Sequence, residues 1–260
     1  MMNKLRQILK NKQPSVATRV SSRWPIISEI VGISGQYDYI EYLAEYAPFG
    51  MEDFENVARA CELHNMGSIV KADYQNHAYI AQKAMAAGIQ GVLFTDCKTA
   101  EEVRECVYVT SPDTPEDGGR FGFPNYRWPG YRPLCPQMEY AQTVRDCVRL
   151  FMIEKKDAVD NIEAICDVPG VDMIQFGPSD YSMSCGRNSA DYKSEFKAAE
   201  RRCIEAALKR GVQPRCEIFS AEDAKYYLDL GVRHFCLGDQ IKILRTYWAD
   251  EGKALRNLMI

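Results

Sequence analysis

The sequence contains no apolar run that approaches the about 20 residues needed to span a bilayer, and its amino terminus lacks the apolar core of a signal peptide. A surplus of positive charge is missing too, since 32 Lys and Arg stand against 36 Asp and Glu, for a formal net charge of -4. These absences argue against a membrane span and against binding to nucleic acid or an anionic membrane. We therefore predict a cytoplasmic protein whose first residues form a short amphipathic helix.

Cys-x-x-Cys spacing, which is typical of zinc and redox sites, is also absent. The ten cysteines are scattered singly, and several, such as Cys216 and Cys236, lie inside apolar runs. Buried, reduced thiols in a reducing compartment are the expected state. Histidine is scarce: the sequence has only His64, His77 and His234, and their places on or beside helices or at the start of a strand predict structural roles.

What the sequence does contain is a regular alternation of short β-like runs and helical patterns from Ser15 onward. The strand-like runs cover residues 15–20, 37–42, 68–73, 91–95, 148–153, 172–176, 214–219 and 234–237. Parallel strands need crossover connections and a closed ring leaves no edge, so we predict an α/β fold, a (β/α)8 TIM barrel, as a single domain over residues 1–260. An open doubly wound sheet would normally show a Gly-x-Gly-x-x-Gly turn after its first strand, and none is present.

One region, residues 111–133, departs from this alternation and is dense in proline, glycine and aromatic residues. Such a long loop in a compact domain is usually functional or part of an oligomer interface, and the sequence leaves both interpretations open.

Barrel active sites lie at the carboxyl ends of the strands, and here those ends supply an acidic ring with one lysine, Lys71, and one arginine, Arg19. This composition suits a hard cation bound by a few carboxylates, water and substrate oxygens. Glu154 and Asp180 are the best candidate ligands because they follow adjacent strands; the alternative for each is a solvated acid that caps a helix. The backbone of residues 177–180 is a second feature, because N–H groups that open a helix can hold a carboxylate.

The segment Met-Ile-Glu154-Lys, followed by Gly177-Pro-Ser-Asp180-Tyr, resembles the class II aldolase family of HpcH/HpaI type, which contains metal-dependent pyruvate aldolases and relatives of the citrate lyase β-subunit. The resemblance implies that Glu154 and Asp180 bind a divalent metal cation (Mg2+, Mn2+ or Co2+) and that Gly177 and Ser179 hold the carboxylate of a 2-oxo acid through backbone N–H groups. It also implies a homo-oligomer, a hexamer in which the carboxy-terminal helix of residues 240–260 is exchanged between subunits.

Two departures from the family pattern affect the predicted catalytic residues. The chain has Lys71 where the family's aldolases carry arginine, and Tyr46 where they carry the histidine used as acid and base. Leu43 and Ala86 stand near the places of that histidine's acidic partners. Tyr46 could replace the histidine if metal or Lys71 lowered its pKa from about 10; the alternative is an aromatic wall of the pocket.

We thus predict a metal-dependent carbon–carbon lyase, aldolase-like, that acts on a 2-oxo acid through a metal-stabilised pyruvate-type enolate. Arg19 would bind substrate, Lys71 would neutralise developing charge, and Tyr46 or a metal-bound water would move the proton. One alternative is a divergent synthase or lyase on a larger or phosphorylated acid, recognised by the loop of residues 125–131. Another is a catalytically silent metabolite-binding protein.

Overall fold

Eight parallel strands close into one barrel in which each strand pairs with the next in the chain and β8 pairs with β1. This computed structural model describes residues 3–124, 126–127, 131 and 135–260. The strands are Ser15–Val20 (β1), Tyr39–Leu43 (β2), Gly67–Ala72 (β3), Gly91–Phe94 (β4), Val148–Ile153 (β5), Met173–Phe176 (β6), Gln213–Ile218 (β7) and His234–Asp239 (β8). The predicted (β/α)8 barrel is confirmed, and the strand boundaries differ from the predicted ones by a residue or two.

Helices connect successive strands around the outside of the barrel. They are Lys4–Lys10 (α1), Ile26–Ile33 (α2), Met51–Leu63 (α3), His77–Ala87 (α4), Ala100–Val109 (α5), Gln137–Arg145 (α6), Lys156–Asp160 (α7), Ile162–Cys166 (α8), Pro178–Ser184 (α9), Lys193–Lys209 (α10), Ala224–Asp229 (α11) and Gln240–Leu258 (α12). Where one helix was expected at residues 158–166, the chain forms α7 and α8, separated by Asn161, whose side-chain amide donates to the carbonyl of Lys98. The sequence analysis also did not predict α6, whose Tyr140 and Val144 are buried against the main core.

The amino-terminal end of the barrel is apolar inside and is covered by α1. Leu5 packs with Ile69, Leu93 and Leu150 in the barrel interior, as expected for an amphipathic helix that covers the end of a barrel. The helix is held there by Arg6, whose Nη1 and Nη2 donate to the two carboxylate oxygens of Asp172 at 2.6 and 2.7 Å. The predicted short amphipathic helix is confirmed.

Toward the carboxyl end the barrel interior becomes polar, and this half carries the candidate site. Glu41 and Arg215 are fully buried and form an ion pair at 2.6 Å. Arg215 also donates from Nε to the Tyr39 hydroxyl at 2.8 Å and from Nη1 to Gln175. Successive side chains of a strand point to opposite faces, so a polar residue at every second position of β2 and β7 places charge inside the ring.

The buried positions of most cysteines agree with the sequence analysis. All ten cysteines are free, and eight of them are buried. In the described part of the chain, none of the helices has the length and apolar character that crossing a membrane requires.

Candidate active site

A cleft of about 270 Å³ opens at the carboxyl ends of the strands. Six of the seven residues that the sequence analysis selected line it: Arg19, Lys71, Glu154, Gly177, Ser179 and Asp180. The seventh, Tyr46, lies at its margin, 70% exposed, with its ring 5.9 Å from the Lys71 ammonium. The cleft therefore brings together residues that are widely separated in the sequence.

Glu154 follows β5 and is only 1% exposed, an unusual position for a carboxylate. Its Oε1 accepts the N–H of Asp96 at 3.1 Å, whereas Oε2 has no hydrogen-bond partner among the described residues. Burial raises the pKa of Glu154 to about 7; the Lys71 charge opposes this rise, and Glu45 and Asp180 add to it. A buried carboxylate oxygen without a partner is costly, and a bound cation is one ordinary way to satisfy it.

Gly177 contacts Glu154 so closely that no side chain fits there. A Cβ atom on Gly177 would lie 2.7 Å from Cβ of Glu154 and 3.0 Å from Cε of Met152. The N–H of Gly177 already donates to the carbonyl of Ile153 at 3.1 Å, and Pro178 has none to offer. Of the two predicted amide donors, Ser179 is the one whose N–H has no acceptor among the described residues. The contribution of Gly177 to the site is therefore its lack of a side chain next to Glu154.

Asp180 lies in the first turn of α9, beside the lysine that follows Glu154. The Lys155 Nζ is 3.7 Å from Oδ1 of Asp180 and 2.6 Å from Oδ1 of Asp96. Lys155 and Asp96 thus join the two candidate ligands electrostatically, since Asp96 also donates its N–H to Glu154. The sequence analysis did not identify Lys155, although it directly follows Glu154.

Lys71 and Tyr46 occupy the side of the cleft formed by β2 and β3. The Lys71 Nζ lies 2.5 Å from Oε2 of Glu45, and both side chains are buried. Partial burial raises the pKa of Tyr46, and the charges of Glu45, Asp180 and Glu154 raise it further. The lowered pKa that a base would need is therefore not produced by the protein's own residues.

Arg19 is held by two carboxylates. Its Nε donates to Oε1 of Glu41 at 2.7 Å, and its Nη2 and Nη1 donate to the two oxygens of Glu217 at 2.7 and 3.1 Å. The carboxylate of Glu41 raises the pKa of Arg19. Burial alone would raise the pKa of Glu41, but the guanidinium groups of Arg19 and Arg215 lower it to about 2. The sequence places Arg19, Glu41 and Glu217 at the carboxyl ends of strands, but it did not predict the ion pairs that link them to Arg215.

The residues fit a hard divalent cation that keeps open coordination positions. Within the described ranges, no group of three His, Cys, Asp or Glu side chains could by itself hold a metal ion. Two carboxylates, Glu154 and Asp180, do line the same cleft, and Oε2 of Glu154 is buried without a partner. Mg2+ is commonly bound by one or two carboxylates and completes its shell with water and substrate oxygens. The two carboxylates and the unpartnered oxygen thus suit such an ion.

The aromatic loop, in contrast, does not reach the cleft where it is described. Asn125, residues 128–130 and residues 132–134 lie outside the described residues. Arg127 is buried and donates to Glu62 at 2.5 and 3.0 Å and to the carbonyl of Ala87 at 2.8 Å, at the carboxyl ends of α3 and α4. Helices of a barrel run opposite to its strands, so this anchor lies at the end remote from the cleft. The role of the loop in substrate recognition stays a prediction.

Comparisons with known proteins agree with this fold. A model of the family described as HpcH/HpaI aldolase/citrate lyase matches residues 47–244. The chain is 26% identical over 245 residues to the 5-keto-4-deoxy-D-glucarate aldolase of Klebsiella pneumoniae subsp. pneumoniae, across 94% of this chain and 93% of that protein.

Two crystal structures show the same fold. An HpcH/HpaI aldolase/citrate lyase family protein from Burkholderia cenocepacia J2315 has a TM-score of 0.87 at 21% identity, with 98% of this chain and 100% of that chain covered. A citrate synthase has a TM-score of 0.83 at 23% identity, with 100% of both chains covered.

Proposed function

The chain belongs to the HpcH/HpaI aldolase/citrate lyase family, and from this premise we propose that it is a divalent-metal-dependent carbon–carbon lyase. It acts on a 2-oxo acid through a pyruvate-type enolate, with the metal cation held by Glu154 and Asp180. When bound, the cation supplies Lewis-acid stabilisation of the enolate. The name of the 26% identical relative, 5-keto-4-deoxy-D-glucarate aldolase, supports aldol chemistry on an oxo acid.

One observation carries the proposal: the buried Glu154 has one oxygen fixed by the Asp96 N–H and the other without a partner among the described residues. A structural carboxylate at this depth would be expected to have both oxygens satisfied. Gly177 leaves open the space next to that free oxygen, because any side chain there would collide with Glu154. This arrangement supports a carboxylate reserved for a ligand.

The residues around this ligand position bind and orient the oxo acid. The N–H of Ser179, at the second position of α9, can donate to the substrate carboxylate. The Lys71 ammonium faces the same cleft and acts electrostatically on Glu154, so it offsets negative charge that develops on the substrate oxygens. Its ion pair with Glu45 fixes its position.

Tyr46 acts in this scheme as a proton donor. Since partial burial and, after it, the neighbouring carboxylates raise the pKa of Tyr46, its phenol can protonate the aldehyde oxygen as a new carbon–carbon bond forms. The cleavage direction requires the reverse transfer, for which a water molecule in the exposed mouth of the cleft would take the proton. The synthetic direction is therefore the easier one for Tyr46.

Hydrogen exchange tests the proposal. The protein, with Mg2+, Mn2+ or Co2+, is expected to exchange the methyl protons of pyruvate for deuterium in heavy water, as followed by NMR. Glu154→Gln should lower the exchange rate at least about 100-fold, because it removes one of two protein ligands. A matched control, Glu205→Gln, changes an exposed glutamate that pairs with Arg201 outside the cleft, and exchange should be unchanged. Equal rates in Glu154→Gln and the parent would refute the metal assignment.

Two alternatives make different predictions in the same assay. A divergent synthase or lyase on a larger acid would exchange the methyl protons of pyruvate slowly and would convert a longer oxo acid. The similarity in fold to a citrate synthase is compatible with this alternative. A silent metabolite-binding protein would bind oxalate or pyruvate with metal in a calorimeter but exchange no protons. Of the three candidates, the lyase is favoured because Lys71 lines the cleft together with Glu154 and Asp180, and the Tyr46 ring lies 5.9 Å from its ammonium.

We also propose a homo-oligomer in which α12 packs against a second copy of the chain. No residue of α12 is buried, and its large apolar side chains, including Ile241, Tyr247, Trp248 and Leu255, are exposed. Exposed apolar surface of this extent usually marks an interface. The exchanged helix and the hexamer expected from the family, and a cytoplasmic location, remain predictions.

A further inference from the structure

On the β7 side of the cleft, a wall separates it from a second cavity of about 590 Å³. Glu217, Phe219 and Tyr227 line both spaces, so these side chains are the shared wall. The rest of the second cavity is formed by residues of α10 and of the segment from β7 to α11. A substrate longer than pyruvate could extend from the cleft toward this wall.

Glu217 and Arg19 form the polar part of the wall on the cleft side. The guanidinium of Arg19 has five N–H donors; Glu217 takes one from each Nη and Glu41 takes the one on Nε. The positive charge of Arg19 is thus compensated inside the protein, and its other two N–H donors have no acceptor among the described residues. Glu217 is partly exposed and adds carboxylate acceptors next to those donors.

The charges on the other side of the wall are compensated in the same way. The Lys197 Nζ donates to Glu200 at 2.6 Å and to the Tyr227 hydroxyl at 2.8 Å, and that hydroxyl donates to the second oxygen of Glu200 at 2.8 Å. Lys225 pairs with Glu222 at 2.5 Å. Each lysine and arginine that lines either cavity therefore has a carboxylate partner, since Lys71 is paired with Glu45.

This wall should disfavour an anionic group on the acceptor aldehyde and should bind a hydroxyl group. A carboxylate or phosphate on the acceptor would find no uncompensated cation on the lining and would face Glu217, and like charges at close range disfavour binding. A hydroxyl group would find both donors on Arg19 and acceptors on Glu217. Lys242, for which no ion pair is found among the described residues, lies over the Phe219 ring and does not line either cavity.

We infer that Glu217 is a specificity-determining residue that selects an uncharged, hydroxyl-bearing aldehyde as the acceptor and excludes acceptors with a second anionic group. The inference rests on the proposed function and names its substrate class. In the synthetic step, the methyl carbon of pyruvate loses a proton and forms a bond to the aldehyde carbon, and the aldehyde oxygen takes up a proton. No oxidant or reductant is needed, and the aldehyde substituent lies against Glu217 and Arg19.

An isosteric pair of acceptors tests the charge selection. With pyruvate and Mn2+, kcat/KM is measured for 4-oxobutanamide and for 4-oxobutanoate, which have the same shape and differ in charge, with glyceraldehyde as the hydroxylated acceptor. The parent should prefer the amide at least about 10-fold, and glyceraldehyde should be accepted. Glu217→Gln frees the fork of Arg19 for a carboxylate and should shift the ratio at least about 10-fold toward 4-oxobutanoate. Glu205→Gln should leave the ratio unchanged.

Deuterium exchange into pyruvate, measured on the same samples, distinguishes failure of the inference about Glu217 from failure of the proposed function. Exchange in both proteins with an unchanged acceptor ratio in Glu217→Gln would overturn the role of Glu217. A parent that prefers 4-oxobutanoate, with the preference lost in Lys242→Gln, would also overturn it, because the anion would then bind at Lys242. Absence of exchange in the parent would overturn the proposed function and, with it, this inference.

Discussion

A methyl group on Gly177 would lie 2.8 Å from Oε2 of Glu154, the carboxylate oxygen that has no partner among the described residues. The position of the candidate metal ligand therefore depends on the absence of a side chain at Gly177, the residue that follows β6. Gly177 has a φ of -109°, which any residue can adopt, so close approach and not backbone strain explains the glycine.

Gly177→Ala is expected to displace the Glu154 carboxylate and to lower kcat/KM about 100-fold, since small misplacements of a catalytic group have effects of this size. Metal affinity, measured by calorimetry with Mn2+, should fall as well. Gly122→Ala is the matched control, because a Cβ at Gly122 meets nothing within 4 Å. If Gly177→Ala binds metal and turns over like Gly122→Ala, Glu154 does not hold the metal through this oxygen.

Lys71 is expected to contribute to both stability and activity. Lys71→Met removes the partner of the buried Glu45, and loss of one member of a buried ion pair typically costs about 3 kcal/mol of unfolding free energy or more. The same change should reduce pyruvate exchange strongly, whereas Lys71→Arg keeps the charge and should retain more of both properties. Urea unfolding and NMR exchange measure the two effects. Activity in Lys71→Met equal to that in Lys71→Arg would argue against a role for the charge.

His234 predicts a pH dependence of stability. It is buried, its Nδ1 lies 2.8 Å from the Ser15 hydroxyl, and burial together with the Arg215 charge lowers its pKa from 6.5 to about 4. The unfolded state binds a proton more tightly, so the stability that the neutral ring contributes is present above pH 6.5 and is lost as the pH falls through 4.

Replacement of His234 by glutamine should therefore reduce the loss of unfolding free energy at low pH. Between pH 7 and pH 4 the parent should lose up to about 3 kcal/mol of unfolding free energy more than His234→Gln does. Urea titrations at several pH values measure the difference, and the other titrating groups cancel in the comparison. Parallel curves for the two proteins would show that His234 is not buried in its neutral form.

Arg127 should matter for stability and not for catalysis. Its guanidinium contacts Glu62 and the Ala87 carbonyl at the end of the barrel remote from the cleft. Arg127→Ala is expected to lower the melting temperature by several degrees while kcat and KM change less than about twofold. A large rise in KM with unchanged melting temperature would identify the loop as a substrate-recognition element.

Trp248 tests the proposed packing of α12 against a second copy. The indole is 66% exposed in the single chain, whose mass is 29.6 kDa. Native mass spectrometry should show the parent at a multiple of that mass, and Trp248→Asp should shift it toward the monomer because a charge would be buried in the interface. Lys253→Asp, a change of an exposed charged residue on the same helix, should disturb assembly less. A monomeric parent would refute the oligomer.

Much of this protein could be predicted from residue order. Alternation of apolar runs specified the eight strands, because each strand and helix must bury an apolar face. The strand ends then identified Glu154, Asp180, Lys71 and Arg19, since a barrel presents those ends at one face. The helix α6 was missed because the prolines and glycines around it are local signals of a loop, whereas its burial depends on tertiary contacts.

The charge balance of the site was decided only by the tertiary structure. Sequence marks Glu41, Arg19, Arg215 and Glu217 as charged residues of three strands, but it does not show that they form one buried chain of ion pairs. Nor does it show that the N–H of Gly177, which was expected to bind a ligand, donates to the carbonyl of Ile153 instead. Residue order predicts the two carboxylates that follow β5 and β6. It does not predict which oxygen of Glu154 lacks a partner or which cations are paired with carboxylates, because both depend on distances across the barrel.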